Sequence, residues 1–390
     1  MADSNLLTLR VGGQIYGGWK GISVRTSIEQ LAGNFELALT ERWPEQRVDW
    51  VIAPGELCEI LIGDDVVITG YVDVVSVTYD QNSHEIKVSG RDKAGDLVDC
   101  SAPTTSFAGQ TLEQIAVALC APFGITVFDE TVNGKKLSTK QKKAGKKGTP
   151  PKKTRVSGKV PRQACQAGET VFRTLDKLAR GEGVLFVSDR EGGLVITRAG
   201  LGGDCETVLQ HGKNILQASF ENSHAALFSE ITVQGQAGAP GADRFDLVHS
   251  APKGTIKRAP SSKTGNSQIG RYRPLIIVAE TQADAARCQK RAEWEASNRE
   301  AKARKVTVTV QGWREEATGE LWEINKMVRI RCPWMRLDDW WLISSASFKL
   351  DEGGATTVLQ LVSRKAFDQL PEIPEPSGVA GTGRFNVLGK

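Results

Sequence analysis

Residues 91–127 read RDKAGDLVDCSAPTTSFAGQTLEQIAVALCAPFGITV, and this stretch passes from the end of a strand through a polar loop into a short helix. Thr111 is placed to cap the helix, and Gln114 follows three residues later, which is the spacing of a capping box. Pro122 and Gly124 end the helix before the strand-forming sequence ITV. Apolar residues recur at helical intervals behind the cap and predict one buried face, formed by Leu112, Ile115, Ala116 and Leu119.

On the N-terminal side of this stretch, the sequence has the period of β-structure. Residues 85–90, EIKVSG, alternate between apolar and polar side chains, as a half-buried strand does. Further short runs of strand-forming residues lie between residues 5 and 100, with a hairpin turn at residues 63–65, Gly-Asp-Asp. The spacing of these strands predicts an antiparallel barrel or sandwich.

Residues 101–213 change to mixed α/β sequence with a weak internal repeat. A second predicted helix begins at Thr170, and a glycine and a strand follow each helix, at Gly124 and at Gly183. Apolar positions of the helices also match: Leu112 with Val171, Ala116 with Leu175, and Leu119 with Leu178. These matches fit a duplicated helix–strand unit, but connections of this length are common, so both interpretations stay open. Residues 189–193 predict a hairpin before the strand LVITR.

Strand patterns return on the C-terminal side of the α/β region. Residues 230–235, EITVQG, repeat the E-I-x-V-x-G pattern of residues 85–90, which favours a second barrel related to the first. A long helix with an Ala-rich face is predicted from Thr281 to about Lys305, and alternating strands follow it. A turn at residues 351–354, Asp-Glu-Gly-Gly, separates the last two strands.

The predicted fold class is α+β and mainly β: two similar antiparallel β-barrel domains, an inserted α/β region, and a long helix before the last strands. A chain of 390 residues is long enough for several cores. The predicted domains are a first barrel (1–100), an α/β insert (101–213) with a mobile basic loop (131–168), a second barrel (214–240 with 305–366), a loop and long helix inserted in that barrel (241–304), and a flexible tail (367–390).

The charge of the chain is unevenly distributed. Residues 131–168 contain twelve Lys and Arg and no acid, so the rest of the chain is at −8, because the whole chain is at +4. Such a polar segment predicts a mobile loop. A solvated loop, contact with an acidic protein, and contact with DNA through residues 135–162 all fit, although no aromatic residue is present to stack on bases. The candidate polyanion or partner contacts are Lys142, Lys143, Lys146, Lys147, Lys152 and Lys153.

The sequence contains no pattern for catalysis, for a cofactor or for a metal. The four histidines, at positions 84, 211, 224 and 249, lack metal-ligand spacing. No G-x-S-x-G motif or phosphate-binding glycine loop is present. No apolar run is long enough to span a membrane, and the N-terminus has no signal-peptide pattern. We therefore predict a protein without enzymatic activity, cofactor, metal or membrane insertion.

The cysteines and tryptophans carry two further predictions. Seven cysteines without a C-x-x-C pair are typical of reduced thiols in a cytoplasm, and we expect Cys100 and Cys120 to be small buried apolar residues. Five of the nine tryptophans lie between residues 313 and 341. Neighbouring strand residues point to opposite faces, so one of Trp340 and Trp341 faces away from the core. Because Trp is enriched at interfaces, Trp334, Trp340 and Trp341 are candidate interface residues, with core packing as the alternative.

The stretch at residues 91–127 resembles a segment of the baseplate hub proteins of Mu-like contractile-tailed bacteriophages. The resemblance covers residues 6–366 and continues in GETVFRTLDKLARGEGVLFVSDREGGLVITR, FSEITVQGQA, RYRPLIIVAE and GELWEINKMVRI. These proteins are similar to the baseplate hub of T-even phages and to the N-terminal part of secretion-system spike proteins. The resemblance implies a structural role in a tail baseplate.

For this chain, the resemblance implies a homotrimeric ring that adapts the six-fold tail tube to the three-fold central spike, around a channel for DNA. The implied partners are other copies of the chain, the spike, the tail tube or distal tube protein, baseplate wedge proteins, the tape measure protein and transient DNA. The implied locations are the virion tail baseplate and, during assembly, the host cytoplasm. The negative charge outside the basic segment would suit a channel through which DNA slides.

Two functions of other classes stay open. A nucleic-acid-binding protein would act through residues 135–162. A tail-associated cell-wall hydrolase would need two carboxylates on either side of a sugar, and the sequence does not single out such a pair. The same hub would also serve in a tailocin or a secretion-type injector that carries no DNA.

Overall fold

The chain divides into two compact units, each with its own apolar core. The computed structural model describes residues 6–41, 52–79, 84–133, 163–165, 167–182, 184–234, 253–257, 270–278 and 285–367. Described residues up to 227 and from 297 to 367 form the larger unit, and those from 228 to 296 form the smaller.

The N-terminal part of the larger unit consists of strands. They are β1 (Leu7–Val11), β2 (Gln14–Tyr16), β3 (Gly21–Ser27), β4 (Asn34–Glu41), β5 (Leu57–Ile62), β6 (Asp65–Tyr79) and β7 (His84–Asp92). The predicted strand at residues 85–90 is confirmed within β7, where Ile86 and Val88 are buried. The predicted hairpin is confirmed between β5 and β6, where Gly63 has a φ of 61° that suits glycine.

The α/β region follows, and the helix predicted behind Thr111 forms as α2. Its elements are α1 (Gly95–Asp99), β8 (Ser106–Phe107), α2 (Leu112–Cys120), β9 (Val127–Asp129), α3 (Glu130–Asn133), β10 (Gln163–Ala164), α4 (Val171–Glu182), β11 (Leu185–Ser188) and β12 (Leu194–Thr197). The capping box of α2 is confirmed: Thr111 Oγ1 accepts from Gln114 N at 3.3 Å, and Gln114 Oε1 accepts from Thr111 N at 3.0 Å. Gly124 ends the helical turn in the left-handed conformation.

Both predicted helix–strand units contribute to one small sheet and one core. The matched apolar residues of α2 and α4 all lie in the same buried cluster. The strand after each helix pairs with β12, since β9 runs parallel to it on one side and β11 antiparallel on the other. The β11–β12 pairing confirms the hairpin at residues 189–193. Duplication and common connection length both remain compatible with this arrangement.

The C-terminal half of the chain contains the remaining elements. They are β13 (Leu209–Gln210), β14 (Ile215–Asn222), β15 (Glu230–Gln234), β16 (Lys253–Lys257), β17 (Pro274–Val278), α5 (Ala285–Lys302), β18 (Arg304–Gln311), β19 (Met327–Cys332), β20 (Leu337–Asp351) and β21 (Gly354–Val362). The predicted long helix is observed from Ala285. The turn between β20 and β21 matches the predicted one, with Asp351 Oδ1 accepting from Gly353 N at 2.8 Å.

The smaller unit contains a three-stranded sheet packed on a helix. Its central strand β15 pairs with β16 antiparallel and with β17 parallel. Ile231 and Val233 of β15 are buried with Cys288 and Ala292 of α5. Residues 230–235 were expected to belong to a second barrel with the last strands, and this expectation is wrong for β15. The alternating strand buries its apolar side on a helix in a separate sheet.

Most strands of the larger unit join one antiparallel sheet in which the same strand order occurs twice. The first set is β3, β4, β5, β6 and β7, and the second set is β14, β18, β19, β20 and β21. Their spatial orders are β3-β4-β7-β6-β5 and β14-β18-β21-β20-β19. Numbered by sequence within each set, both orders are 1-2-5-4-3. All pairings within both sets are antiparallel.

The register of the two sets also corresponds. Val77 of β6 lies opposite Ile86, and Phe348 of β20 lies opposite Thr357. The fourth strand is the longest of each set, with 15 residues in both β6 and β20. Each of these strands has a β-bulge near its middle, between Val72 and Val74 in β6 and between Ile343 and Ser345 in β20. Val75 and Val77 of β6 therefore occupy the positions of Ala346 and Phe348 in β20.

The described strands do not close into two separate barrels, which differs from the predicted architecture. A joint between β20 and β3 makes the two sets parts of one continuous sheet. The N-terminal half of β20 pairs with β19, and beyond the bulge this edge of β20 pairs with β3. The two sets share one apolar core that includes Val24, Phe35, Phe348 and Leu361.

Candidate assembly interface

The joint between β20 and β3 shows how one set pairs with the next. The pairing runs from Ser345 opposite Ser27 to Leu350 opposite Ile22. Phe348 and Val24 lie opposite each other on the core side, and both are at most 2% exposed. A single chain thus contains one complete joint, formed by the fourth strand of one set and the first strand of the other.

The fourth strand of the first set, β6, has an open edge where β20 has its joint. Its first half pairs with β5 as far as Tyr71, and beyond the bulge its pairing among the described strands is with β7 alone. Val77 is 67% exposed on the face that corresponds to the buried side of Phe348. An exposed apolar edge strand is a template for pairing with another chain.

The first strand of the second set, β14, is an edge strand at the other end of the sheet. It pairs with β18, and Ala218 and Phe220 on its core side are only partly buried. Phe220 makes an edge-to-face contact with Trp341 at 6.5 Å between ring centroids. The Arg304 guanidinium lies 5.5 Å from the centroids of both rings. These contacts fix the position of Phe220 at the edge.

The three candidate interface tryptophans lie in three different environments. Trp341 is 3% exposed in the core, whereas Trp340 is 49% exposed on the other face of β20, which confirms that the two point to opposite sides. Trp334 is 87% exposed at the tip of the β19–β20 hairpin. Trp341 therefore belongs to the core, and Trp334 and Trp340 remain candidates for contacts with another chain.

The solvent-facing side of the two sets is polar. Threonine, serine, glutamine and asparagine alternate with the buried apolar residues along these strands. Charged residues of both signs lie on this face, among them Arg25, Lys87, Lys305, Lys349, Glu36, Glu85 and Glu221. Among the described residues, the excess of acids expected for a DNA channel is not found on this face. The face combines hydrogen-bonding groups with balanced charge.

A buried carboxylate connects the first set with the α/β region. Asp92 accepts hydrogen bonds from Gly33 N at 2.6 Å, Ala94 N at 2.9 Å and Ser188 Oγ at 2.5 Å. Burial raises the pKa of Asp92 to about 6, because desolvation outweighs these three hydrogen bonds. Asp92 was not predicted from the sequence, although the signal was an acid two residues after the alternating strand EIKVSG.

Beside Asp92, a chain of ion pairs joins the α/β region to the second set. Arg190 Nη2 lies 2.5 Å from Glu323 Oε1, and Lys326 Nζ lies 2.9 Å from Glu323 Oε2. Burial would lower the pKa of Lys326, but Glu323 and Glu315 raise it overall. A cavity of about 40 Å³ lies between Asp92, Arg190 and Glu323. This volume suits ordered water rather than a substrate. We therefore interpret the cluster as a structural contact between the α/β region and the second set.

Several other predicted features have simple outcomes. The six candidate lysines of the basic segment lie outside the described residues, and so do residues 368–390 of the predicted tail, whereas Phe367 ends a 3-10 turn. Cys120 is buried as predicted, and burial raises its pKa to about 12. The prediction for Cys100 is wrong, because this residue follows the last residue of α1 and is exposed. Residues in the described ranges include no group of three or more His, Cys, Asp or Glu that could hold a metal.

None of the helices in the described part of the chain combines the length and hydrophobicity of a membrane span.

Comparison with protein families divides the chain along the elements described above. Residues 6–92 match "Mu phage baseplate assembly protein GpP-like, N-terminal", and these residues contain β1 to β7. Residues 94–149 and 152–198 match "Baseplate hub protein gp44-like, second domain". Residues 284–370 match "Mu phage baseplate assembly protein GpP, fourth domain", and they contain α5 and the last four strands.

Individual relatives agree with the family matches. A tail protein of 43 kDa from prophage MuSo2 of Shewanella oneidensis has 36% identity and a TM-score of 0.77, covering 93% of this chain and 100% of that one. A tail protein from Neisseria meningitidis has 22% identity and a TM-score of 0.74, covering 93% and 99%, and shares the fold. Baseplate hub protein gp44 of Escherichia phage Mu is 35% identical over 368 residues, which are 93% of this chain and 89% of gp44. The chain therefore belongs to the family of Mu-like phage baseplate hub proteins.

Proposed function

We propose that this hub protein assembles as a homotrimeric ring in which each chain supplies two look-alike sheet modules. Three chains then present six similar modules, and the ring adapts a six-fold tail tube to a three-fold central spike. The role is structural, without catalysis. The observation that carries the proposal is the repeated strand order, joined within one chain by β20 and β3.

The in-chain joint supplies a template for the joint between chains. Within the chain, the fourth strand of the second set pairs with the first strand of the first set. If the joint between chains follows the same rule, the fourth strand of the first set, β6, pairs with the first strand of the second set, β14, of a neighbouring copy. Both strands have an open edge among the described residues, and both carry incompletely buried apolar residues there. Covering these residues would stabilise the ring through burial of apolar surface.

The template also gives a register for the inter-chain joint. Phe348 lies opposite Val24 in the chain, and by the correspondence of the sets these positions are occupied by Val77 and Phe220. Ala346 opposite Thr26 corresponds in the same way to Val75 opposite Asn222. The aromatic ring of Phe220 would then cover the side chain of Val77, as is common for pairs across antiparallel strands.

The polar face of the sheets gives the ring its channel. When an open sheet closes on itself with its apolar side against the core, the opposite side is left for solvent. This face carries hydroxyl and amide groups with balanced charge, so a passing DNA would meet neither strong attraction nor strong repulsion. The further partners of the ring are the central spike, the tail tube or distal tube protein, baseplate wedge proteins and the tape measure protein. Assembly takes place in the host cytoplasm.

Disulfide cross-linking tests the ring and its register together. We expect the double variant Val77→Cys/Phe220→Cys, in a Cys100→Ser background, to form covalent oligomers up to the trimer under oxidising conditions. Cys100 is replaced because it is the exposed native cysteine among the described residues. Light scattering of the uncross-linked protein should give about three times 42.3 kDa. A monomeric mass at high concentration together with the absence of cross-links would refute the ring.

The control places the second cysteine out of register. Leu216 is also exposed on β14, at 57%, but lies four residues from Phe220. A disulfide requires Cβ atoms within about 4.5 Å, so Val77→Cys/Leu216→Cys should cross-link poorly. Equal cross-linking of the two cysteine pairs would show that β6 and β14 of different copies meet at random and not in a defined register.

A further inference from the structure

The described part of the chain ends beside the β19–β20 hairpin, on the side of the hairpin that faces away from the main core. Val362, the last residue of β21, lies opposite Leu342 of β20 on this side. The chain then forms a 3-10 turn at Arg364–Phe367, and Ala366 is buried in one apolar cluster with Leu342. Phe367 packs against the same cluster. Whatever follows Phe367 therefore starts next to this hairpin.

Beyond Leu342, the same side of the hairpin carries an exposed tryptophan beside two arginines. Trp340 is 49% exposed and lies opposite Arg329, and Asp338 lies opposite Arg331. Asp338 Oδ1 accepts from Arg329 Nη2 at 3.0 Å and lies 3.5 Å from Arg331 Nε, so two guanidinium groups share one carboxylate. The Arg331 side chain is 46% exposed. This surface combines an aromatic ring with a net positive charge.

The sequence directly after the last described residue has the complementary composition. Residues 368–376, DQLPEIPEP, contain three acids, three prolines and no basic residue. Pro371 and Pro374 are three residues apart, which is the period of the polyproline II helix, so they would lie along one side of such a helix. Glu372 and Glu375 have the same spacing and would lie along the neighbouring side. A proline side and an acidic side would thus run next to each other.

We propose that residues 368–376 dock on this hairpin of their own chain, with the prolines on Trp340 and the glutamates at the two arginines. Aromatic surfaces bind P-x-x-P segments because the polyproline II helix is largely preformed and loses little entropy on binding. Hydrogen bonds between arginine and carboxylate groups add charge complementarity. The inference goes beyond the proposed ring and does not depend on it.

The occupant is the chain's own segment because the segment begins so close to the surface. Trp340 is two residues from Leu342 along β20, a distance of about 7 Å. An extended chain spans about 3.3 Å per residue, so Pro371, the fourth residue after Phe367, has a reach of about 13 Å. Attachment by so short a linker gives the segment a local concentration on the order of millimolar. A separate protein would have to compete with this concentration.

Docking would change which part of the hairpin is open to other proteins. The segment would cover Trp340, which is one of the candidates for contact with another chain. Trp334, at the tip of the same hairpin and 87% exposed, would remain uncovered. Another protein that binds at Trp340 would first have to displace the segment.

Hydroxyl-radical footprinting of the full chain tests the docking. Trp341 is 3% exposed, so oxidation of this pair of neighbouring tryptophans reports on Trp340. We expect Glu372→Gln/Glu375→Gln to weaken docking by about threefold to tenfold, as the loss of two exposed ion pairs does, and so to increase the oxidation of Trp340. Added salt should have the same effect on the wild type. Trp334 is the internal reference and should be oxidised equally in both proteins.

Two further variants separate charge from position. Val379→Lys/Thr382→Lys raises the net charge by the same amount as Glu372→Gln/Glu375→Gln, but outside the segment, and should leave Trp340 as protected as in the wild type. Pro371→Ala/Pro374→Ala keeps every charge and should still increase the oxidation of Trp340, because the preformed helix is lost.

Three outcomes would overturn the proposal. The first is equal oxidation of Trp340 in the wild type and in both segment variants. The second is an equal loss of protection in Val379→Lys/Thr382→Lys, which would reveal a general effect of charge. The third is protection that appears only as the protein concentration rises, or only after a baseplate partner is added, which would assign the surface to another copy or to that partner. Cross-linking of Val77→Cys/Phe220→Cys tests the ring separately.

Discussion

Asp92 is the clearest case of a side chain whose state depends on its surroundings. It ends β7, accepts three hydrogen bonds, and is buried between the first set and the α/β region. Because its pKa in the folded chain is about 6, above the ordinary 3.8, the folded state takes up this proton more readily than the unfolded state. Protonation therefore stabilises the fold as the pH falls below about 6, and this contribution is lost as the pH rises through 6.

The pH dependence of unfolding gives a direct test of this assignment. Between pH 7 and pH 5, Asp92 should add about 1 kcal/mol to the free energy of unfolding, and Asp92→Asn should remove this increase. Urea unfolding at several pH values measures both proteins. The control is Asp99→Asn, because the Arg91 hydrogen bond lowers the pKa of this exposed acid and keeps it ionised throughout the range. An unchanged slope in Asp92→Asn would show that another group is responsible.

At the residue scale, the features that could be predicted from the sequence are those that depend on residues close by in the chain. The capping box of α2 and the opposite orientations of Trp340 and Trp341 depend on neighbours a few positions away, and both are confirmed. Cys100 shows the limit of such patterns. A small apolar residue at the end of a helix can face either way, and the prediction that it is buried was wrong because its exposure depends on how α1 meets the rest of the chain.

At the element scale, the strands were predictable and their partners were not. The alternation of apolar and polar residues along 85–90 indicated a strand, because successive side chains of a strand point to opposite faces. The joint of β20 with β3 brings Arg25 and Ser345 together across 320 positions, and no local pattern marks it. The same gap explains β15, whose sequence resembles β7 but whose apolar side packs on α5. Arg314, in the connection between β18 and β19, forms an ion pair with Asp65 of β6 at 2.7 Å, and this contact was missed for the same reason.

A charge on the open edge of β6 tests the inter-chain joint at this scale. Val77→Lys would place an ammonium group where the apolar side of Phe220 is expected, and edge lysines oppose strand pairing. We expect light scattering to give about 42.3 kDa for this variant instead of three times this mass. Thr78→Lys is the matched control, because the next residue along the strand points to the polar face. Trimers of Val77→Lys as stable as those of the wild type would contradict the proposed register.

At the scale of the whole molecule, the two sets form most of the main sheet, and their strands, except β14, lie in ranges that match hub families. Hub relatives match over the N-terminal strands, the α/β region and the last strands. The chain contains one joint between its two sets, and the proposed ring would pair the remaining open edges, those of β6 and β14, with other copies. The α/β region and the smaller unit then lie between elements of the sheet in sequence without interrupting its strand order.

The balanced polar face leads to a prediction about DNA in the ring. The triple variant Glu36→Lys/Glu85→Lys/Glu221→Lys should convert a neutral channel into a strongly basic one and retain duplex DNA at low salt. The measurement is a gel-shift series from about 50 to 200 mM salt, in which phosphate contacts weaken steeply. Deletion of residues 135–162 in all proteins removes the basic segment as a source of binding. The unsubstituted deletion protein should bind weakly throughout.

The control for this channel prediction moves the same charge change elsewhere. Glu191 and Glu352 are exposed acids and Glu113 is a half-buried acid, and all three lie outside the polar face of the two sets. Their triple replacement by Lys adds an equal charge to the outer surface, where DNA can bind but cannot be enclosed. When the ring assembles from monomers in the presence of DNA, the channel variant should release linear DNA by sliding from its ends and hold circular DNA more firmly, whereas the surface variant should not distinguish the two forms. Equal behaviour of both variants would mean that the polar face does not line a channel.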